Sequence, residues 1–184
     1  MYDGNNPTAL KSKQWITDAL LSMMEEKSYT GISVKDICTR ADLSRQTFYN
    51  LFESKDDVLH AYLREEVAKA YENMAQAGEN ASLSLEDMVE PFVKVLEDNR
   101  QVLTLMINQG LENIIDEEIS DAVSLFARHF AKDSSASELA YSAAFLSGGL
   151  AKIMLFRFKQ EKPLELGEFK RLLKEIFVGN IYRI

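Results

Sequence analysis

With 184 residues, 46% of them apolar and 27% charged, and with only 3 Pro and 8 Gly, the chain reads as a folded protein of one or two domains. That balance excludes a disordered, collagen-like or low-complexity polymer, and few breakers between long periodic stretches point to helices rather than short strands. Lys plus Arg total 21 against 29 Asp plus Glu, a formal charge of -8, yet residues 1–50 hold six of each sign while residues 51–184 hold 15 basic and 23 acidic side chains. An acidic remainder repels a polyanion, so any nucleic-acid contact is expected from the neutral first fifty residues.

Residues 1–9 read as a polar tail. A first helix is predicted from about Lys11 to Lys27, where Ile16, Leu20, Met23 and Met24 recur at helical spacing. Ser33, with Asp36 three positions on, opens a short second helix whose inner face is Val34, Ile37 and Cys38. A turn at Ala41-Asp42-Leu43 leads to Ser44, which can cap a third helix ending near Leu51 with Phe48 and Phe52 inward. Ser54 with Asp57 opens a long fourth helix that ends at Gly78-Glu79-Asn80, and its start is the expected boundary between two modules. Further helices are predicted around Leu85–Leu96, kinked at Pro91, then over Val102–Asn108, Leu111–Phe130, Ser135–Lys159 and Phe169–Val178. No strand-period segment or solenoid repeat occurs, so the fold class is all-α.

The sharpest signal lies in residues 33–51: two short capped helices around a three-residue turn, which is helix-turn-helix geometry. The outer face of the third helix presents Ser44, Arg45, Gln46, Thr47, Tyr49 and Asn50. Arg donates twice to a guanine edge, Gln bonds adenine bidentately, and a Thr methyl meets a thymine methyl. Ser, Tyr and Asn near helix starts suit phosphates. Lys35 joins these as a DNA-binding candidate. The bland alternative is two packed helices with a polar outer face.

Thr30-Gly31-Ile32-Ser33-Val34-Lys35-Asp36-Ile37-Cys38, followed by Ala41 to Phe52 and Ser54-Lys55, resembles the TetR family of transcriptional regulators from about Lys11 to Val58. The resemblance implies an N-terminal three-helix DNA-binding domain, residues 1–53, and a C-terminal helical bundle for ligand binding and dimerisation, residues 54–184. It places groove reading on Ser44, Arg45, Gln46, Thr47 and Tyr49, and phosphate contacts on Ser33, Tyr49 and Lys55. The chain departs from the family where Asp42 and Gln46 stand in place of a frequent Gly, and where Leu51 replaces a frequent His.

The C-terminal part holds large adaptable side chains. Phe92, Met106, Phe126, Phe130, Tyr141 and Phe145, with Gln109 as a polar contributor, are the expected ligand-binding residues; the plainer reading is that they fill a core. Gly148 and Gly149 leave bare backbone for a partner helix, and with Ile153, Phe156 and Phe177 they mark an expected dimer surface on the last two long helices. The resemblance implies a four-helix bundle there.

Other features are weaker. A single cysteine, Cys38, excludes an internal disulfide framework and a multi-Cys metal cluster, and reads as core. His60 and His129 lack partners at ligand spacing, so no metal and no cofactor are expected. Asp116-Glu117-Glu118 reads as a solvated helix face. Met1–Pro7 lacks a signal layout, and the apolar run Leu139–Ala151 reads as too short to cross a bilayer, so no membrane association and a cytoplasmic location are expected. No P-loop, nucleophile elbow, zinc-protease or dinucleotide motif is present, so an enzyme is not expected. The reading is a ligand-responsive transcriptional regulator, chiefly a repressor, that binds a pseudo-palindromic DNA operator as a homodimer and answers to a small-molecule effector. The alternatives are an activator of the same family, or a helical small-molecule-binding or adaptor protein that does not touch DNA.

Overall fold

The computed structural model describes residues 6–77, 85–130 and 135–177. In chain order the helices are α1 (Pro7–Glu26), α2 (Val34–Arg40), α3 (Arg45–Leu51), α4 (Lys55–Ala77), α5 (Val89–Asp98), α6 (Arg100–Asn108), α7 (Glu112–Phe130), α8 (Ala136–Lys159) and α9 (Leu166–Phe177). Short 3-10 turns occupy Tyr29–Gly31 and Leu85–Met88. No strand occurs among the described residues, and the fold is all-α.

Helix starts follow local chemistry. Asn6 accepts from the Thr8 amide at 3.0 Å and Pro7 stands at the first helical position, where a missing N–H costs nothing. α1 therefore begins inside the segment read as a polar tail. Ser33 and Ser135 each form a reciprocal capping box, with Asp36 and Glu138. Ser44 caps α3 by accepting from the Thr47 amide at 3.0 Å. Pro91 falls in the first turn of α5, where its lost donor is an orphan anyway, so it does not kink a longer helix. The turn between α2 and α3 runs through Asp42 at φ 53°, a left-handed conformation that Asp tolerates better than most residues. The predicted break at Gly78-Glu79-Asn80 lies outside the described residues.

Ile16, Leu20, Ile37, Phe48, Phe52 and Leu59 are at most 2% exposed and lock α1 to α4 together. The same apolar cluster continues through Val89, Val93, Leu103, Met106, Ile114, Met154 and Leu173. α4 thus belongs to both cores. α7 and α8 form the most extensive helix pair, whereas α9 packs on α5. Arg157, 7% exposed, ties these parts together: it donates to Leu164 O at 2.7 Å and Glu97 Oε1 at 3.1 Å and lies over the Phe169 ring.

α8 as a whole is long and apolar enough to cross a membrane by length and composition, and the run Leu139–Ala151 is only a part of it. It also carries Lys152 and the buried, ion-paired Arg157. The 116–118 acidic run is corrected, because Glu118 is only 5% exposed.

Candidate nucleic-acid interface and apolar cavity

The helix pair α2–α3 sits on α1 and α4 through Ile37, Cys38, Phe48 and Leu51, all buried. Burial pushes the Cys38 thiol pKa up, in keeping with a core side chain. With one face of α3 fixed inward, the other faces outward by helical periodicity. Ser44, Arg45, Gln46, Tyr49 and Asn50 are exposed, and Thr47 is half-buried. The Ser44 and Thr47 hydroxyls lie 2.9 Å apart and engage each other. Tyr49, 58% exposed, stands edge-on against the Phe48 ring, which holds its phenol at the rim of α3.

The charges of this module are selectively paired. Arg40 makes a bidentate ion pair with Glu26, both bonds 2.7 Å, and reaches Ser22 at 2.6 Å. Lys27 lies 3.3 Å from Asp36. Arg45 and the exposed Lys35 enter no ion pair among the described residues. The neutral net charge of the first fifty residues therefore conceals a division: Lys27 and Arg40 are paired internally, whereas Lys35 on α2 and Arg45 on α3 are in no ion pair among the described residues.

Lys55 is placed differently from a free phosphate ligand. Its Nζ donates to Tyr29 O at 2.6 Å and Ile32 O at 2.9 Å, and lies 4.0 Å from the Tyr29 ring centroid. Burial lowers its pKa. Two of its three donors thus fix the 3-10 turn that leads directly into Ser33. The Tyr29 hydroxyl bonds Asp56 on the same α4 turn, and burial followed by that contact drives the phenol pKa strongly up.

Gln109 closes the other side of this turn. Its Oε1 accepts from the Tyr29 amide at 2.9 Å, and its Nε2 donates to Met24 O at 3.0 Å and Lys27 O at 3.4 Å. Gln109 was expected in a ligand pocket; it instead joins the end of α6 to the end of α1. Sequence periodicity carries no signal for such a contact, because its partners are backbone atoms 80 or more positions away.

An apolar cavity of about 70 Å³ lies among α4, α5, α6, α7 and α8. Leu63, Phe92, Leu103, Ile119, Val123 and Met154 represent its wall, and Glu118 is its one ionisable lining residue. Glu118 Oε1 accepts from Arg64 Nη2 at 2.9 Å and contacts His60 Nδ1 at 2.8 Å. Of the expected ligand residues, Phe92 lines this cavity, while Met106 is core, 0% exposed and outside the lining. Tyr141 and Phe145 do not line it: they are 79% and 81% exposed, on the outer face of α8. The side chains of Phe126 and Phe130 lie outside those described.

The expected dimer residues divide similarly. Gly148, Gly149 and Phe156 are exposed, and a Cβ added at either glycine would meet nothing within 4 Å. Ile153 is half-buried, and Phe177 packs against the chain's own core.

Residues 16–62 match the family described as bacterial regulatory proteins, tetR family. The chain is 22% identical over 157 residues to the uncharacterized HTH-type transcriptional regulator YxbF of Bacillus subtilis (strain 168), covering 83% of this chain and 41% of that protein. Over 55 residues it is 34% identical to the dhaKLM operon transcriptional activator DhaS of Lactococcus lactis subsp. lactis (strain IL1403), covering 30% of this chain and 29% of DhaS. The chain thus spans less than half the length of these two curated relatives. Lin0861 from Listeria innocua has the same fold, with a TM-score of 0.73 at 15% identity over 96% of this chain and 94% of that one. The helix-turn-helix described above thus lies within the one segment, residues 16–62, that is similar to the tetR family of bacterial regulatory proteins.

Proposed function

We propose that the chain is a ligand-responsive transcriptional regulator that binds a pseudo-palindromic operator as a homodimer and represses by occluding polymerase. The observation that carries this reading is the outward face of α3, where Arg45, Gln46, Tyr49 and Asn50 stand exposed over a fixed apolar underside. An α-helix fits the major groove, and its first residues reach deepest. Arg45 and Gln46, the first two residues of α3, read base edges; Thr47 adds a methyl contact; Ser33, Lys35, Ser44, Tyr49 and Asn50 hold phosphates. Lys55 has one donor left for a phosphate and uses the other two to set the approach to α2. In this reading residues 1–53 are the DNA-binding domain and residues 54–184 the effector and dimerisation domain.

A second copy of the chain covers the exposed face of α8, where Tyr141, Phe145 and Phe156 flank Gly148 and Gly149. Dimerisation through this face sets two α3 helices about 34–36 Å apart, one helical turn of DNA. The effector occupies the apolar cavity, and it shifts DNA affinity only through different affinities for the two dimer geometries.

A salt-titrated mobility-shift experiment with Arg45→Ala tests this. Losing a bidentate base contact weakens specific binding about tenfold or more and relaxes one base preference per half-site. Unchanged affinity and specificity would remove Arg45 from base reading.

A further inference from the structure

We propose that the cavity selects an uncharged, hydrocarbon-rich ligand, and that Glu118 is the residue that excludes carboxylic acids. This rests on the reading of the cavity as the effector site. Every lining residue except Glu118 is apolar, and they come from five helices, so a ligand inside meets methyl, methylene and phenyl groups on all sides. An ionised group there loses its hydration and gains no partner, which is costly.

Two basic side chains of α4, His60 and Arg64, reach Glu118 in the wall. In many sites such groups would hold an acid's head. Here each is already held by Glu118, through contacts of 2.8 and 2.9 Å to the same oxygen. His60 also faces Glu117 at 3.5 Å, while Arg64 is half-exposed on its outer side. Glu118, 5% exposed, therefore does two things at once. It occupies the Arg64 guanidinium and the His60 imidazole, and it sets a carboxylate beside the wall that repels a ligand carboxylate. A neutral chain or ring avoids both penalties.

Size sharpens the argument. An apolar cavity of about 150 Å³ accommodates benzene. At about 70 Å³ this one is smaller still, so a ligand of ten carbons must part the helices that enclose it. Met88 and Met154 in the wall supply the adaptable side chains such widening needs. A ligand that fits only the widened form binds that form preferentially.

The test measures binding directly, without DNA, so its failure is separable from failure of the regulator reading. Calorimetric titration of the full chain at pH 7.5 compares 1-decanol with decanoate, which have the same tail. Decanol is expected to bind at least about tenfold tighter, with a negative heat-capacity change from apolar burial. Ala70→Phe, which fills the cavity, abolishes that binding, and Ala70→Leu reduces it should the larger residue prevent folding. Glu118→Gln frees Arg64 and is expected to tighten decanoate about tenfold, the effect of one charge-assisted hydrogen bond, with decanol unchanged. Adding Arg64→Met to that variant removes the gain. Equal or tighter binding of decanoate by the wild type, or no binding of decanol, overturns the ligand class. No gain of decanoate in Glu118→Gln overturns the role of Glu118.

Discussion

Asp36 shows how a single side chain shapes the reading head. Its carboxylate accepts from the Ser33 amide at 3.1 Å, its own amide donates to Ser33 Oγ at 3.2 Å, and Lys27 lies beside it. The Ser33 backbone and hydroxyl contacts, then Lys27, hold its pKa below the usual aspartate value. A depressed native pKa means stability that is fully present above the unfolded value and lost as pH falls through the native one. Melting the wild type and Asp36→Ala from pH 7 downward should therefore show a Tm gap that closes below about pH 4. A gap that persists to pH 2 would mean the cap stabilises without its charge. This cap was legible in the sequence because its two partners are three residues apart, and the same holds for Ser44, Ser54 and Ser135. Lys55 was not legible in this way. Its position suggested an outward phosphate contact, but its two carbonyl acceptors lie 23 and 26 residues earlier, and only the folded chain brings them within reach.

At the scale of elements, α6 is the part that touches both modules. Leu103 lines the cavity, and Gln109 at the end of the same helix grips the ends of α1 and the 3-10 turn before α2. Met106 between them is fully buried. On the proposed function, displacement of α6 by a ligand would be passed through Gln109 to the backbone that leads into Ser33 and α2. Gln109→Ala removes the acceptor of the Tyr29 amide. Hydrogen exchange at Tyr29 is expected to accelerate about tenfold, with the amides of α2 core residues such as Ile37 unaffected. Unaltered protection at Tyr29 would show that the link does not constrain the turn. Helix existence was readable throughout, since apolar residues at 3.6-residue spacing report which face is buried. Boundaries were less so: Pro7 starts a helix through its own fixed φ, and Pro91 opens rather than kinks one. The inward or outward sense of α8 was least readable. Its residues are apolar on both sides, so periodicity could not tell Met154, buried at 1%, from Phe145, exposed at 81%.

Across the whole molecule, charge and apolar surface are divided between two ends. The head keeps Lys35 on α2 and Arg45 on α3 out of ion pairs among the described residues, and residues 51–184 carry 23 acidic against 15 basic side chains, an excess that disfavours a polyanion. The body carries the exposed aromatic side chains Tyr141, Phe145 and Phe156 on α8, the face that the proposed function assigns to a second copy. A charge in its middle should separate the copies: Phe145→Glu is expected to sediment as a monomer at micromolar concentration while keeping its helical circular dichroism. A dimer that survives this substitution would place the interface elsewhere.

The central claim is that two α3 helices read DNA from one paired molecule. Selection of the full chain against a pool of random duplexes, with affinity of the recovered sequence followed against salt, tests it most directly. The account predicts an inverted repeat with half-sites about 10–10.5 base pairs apart, and a logarithmic affinity that falls linearly with the logarithm of salt concentration. Recovery of no preferred sequence, or of a single unsymmetrical site bound by one copy, would contradict it.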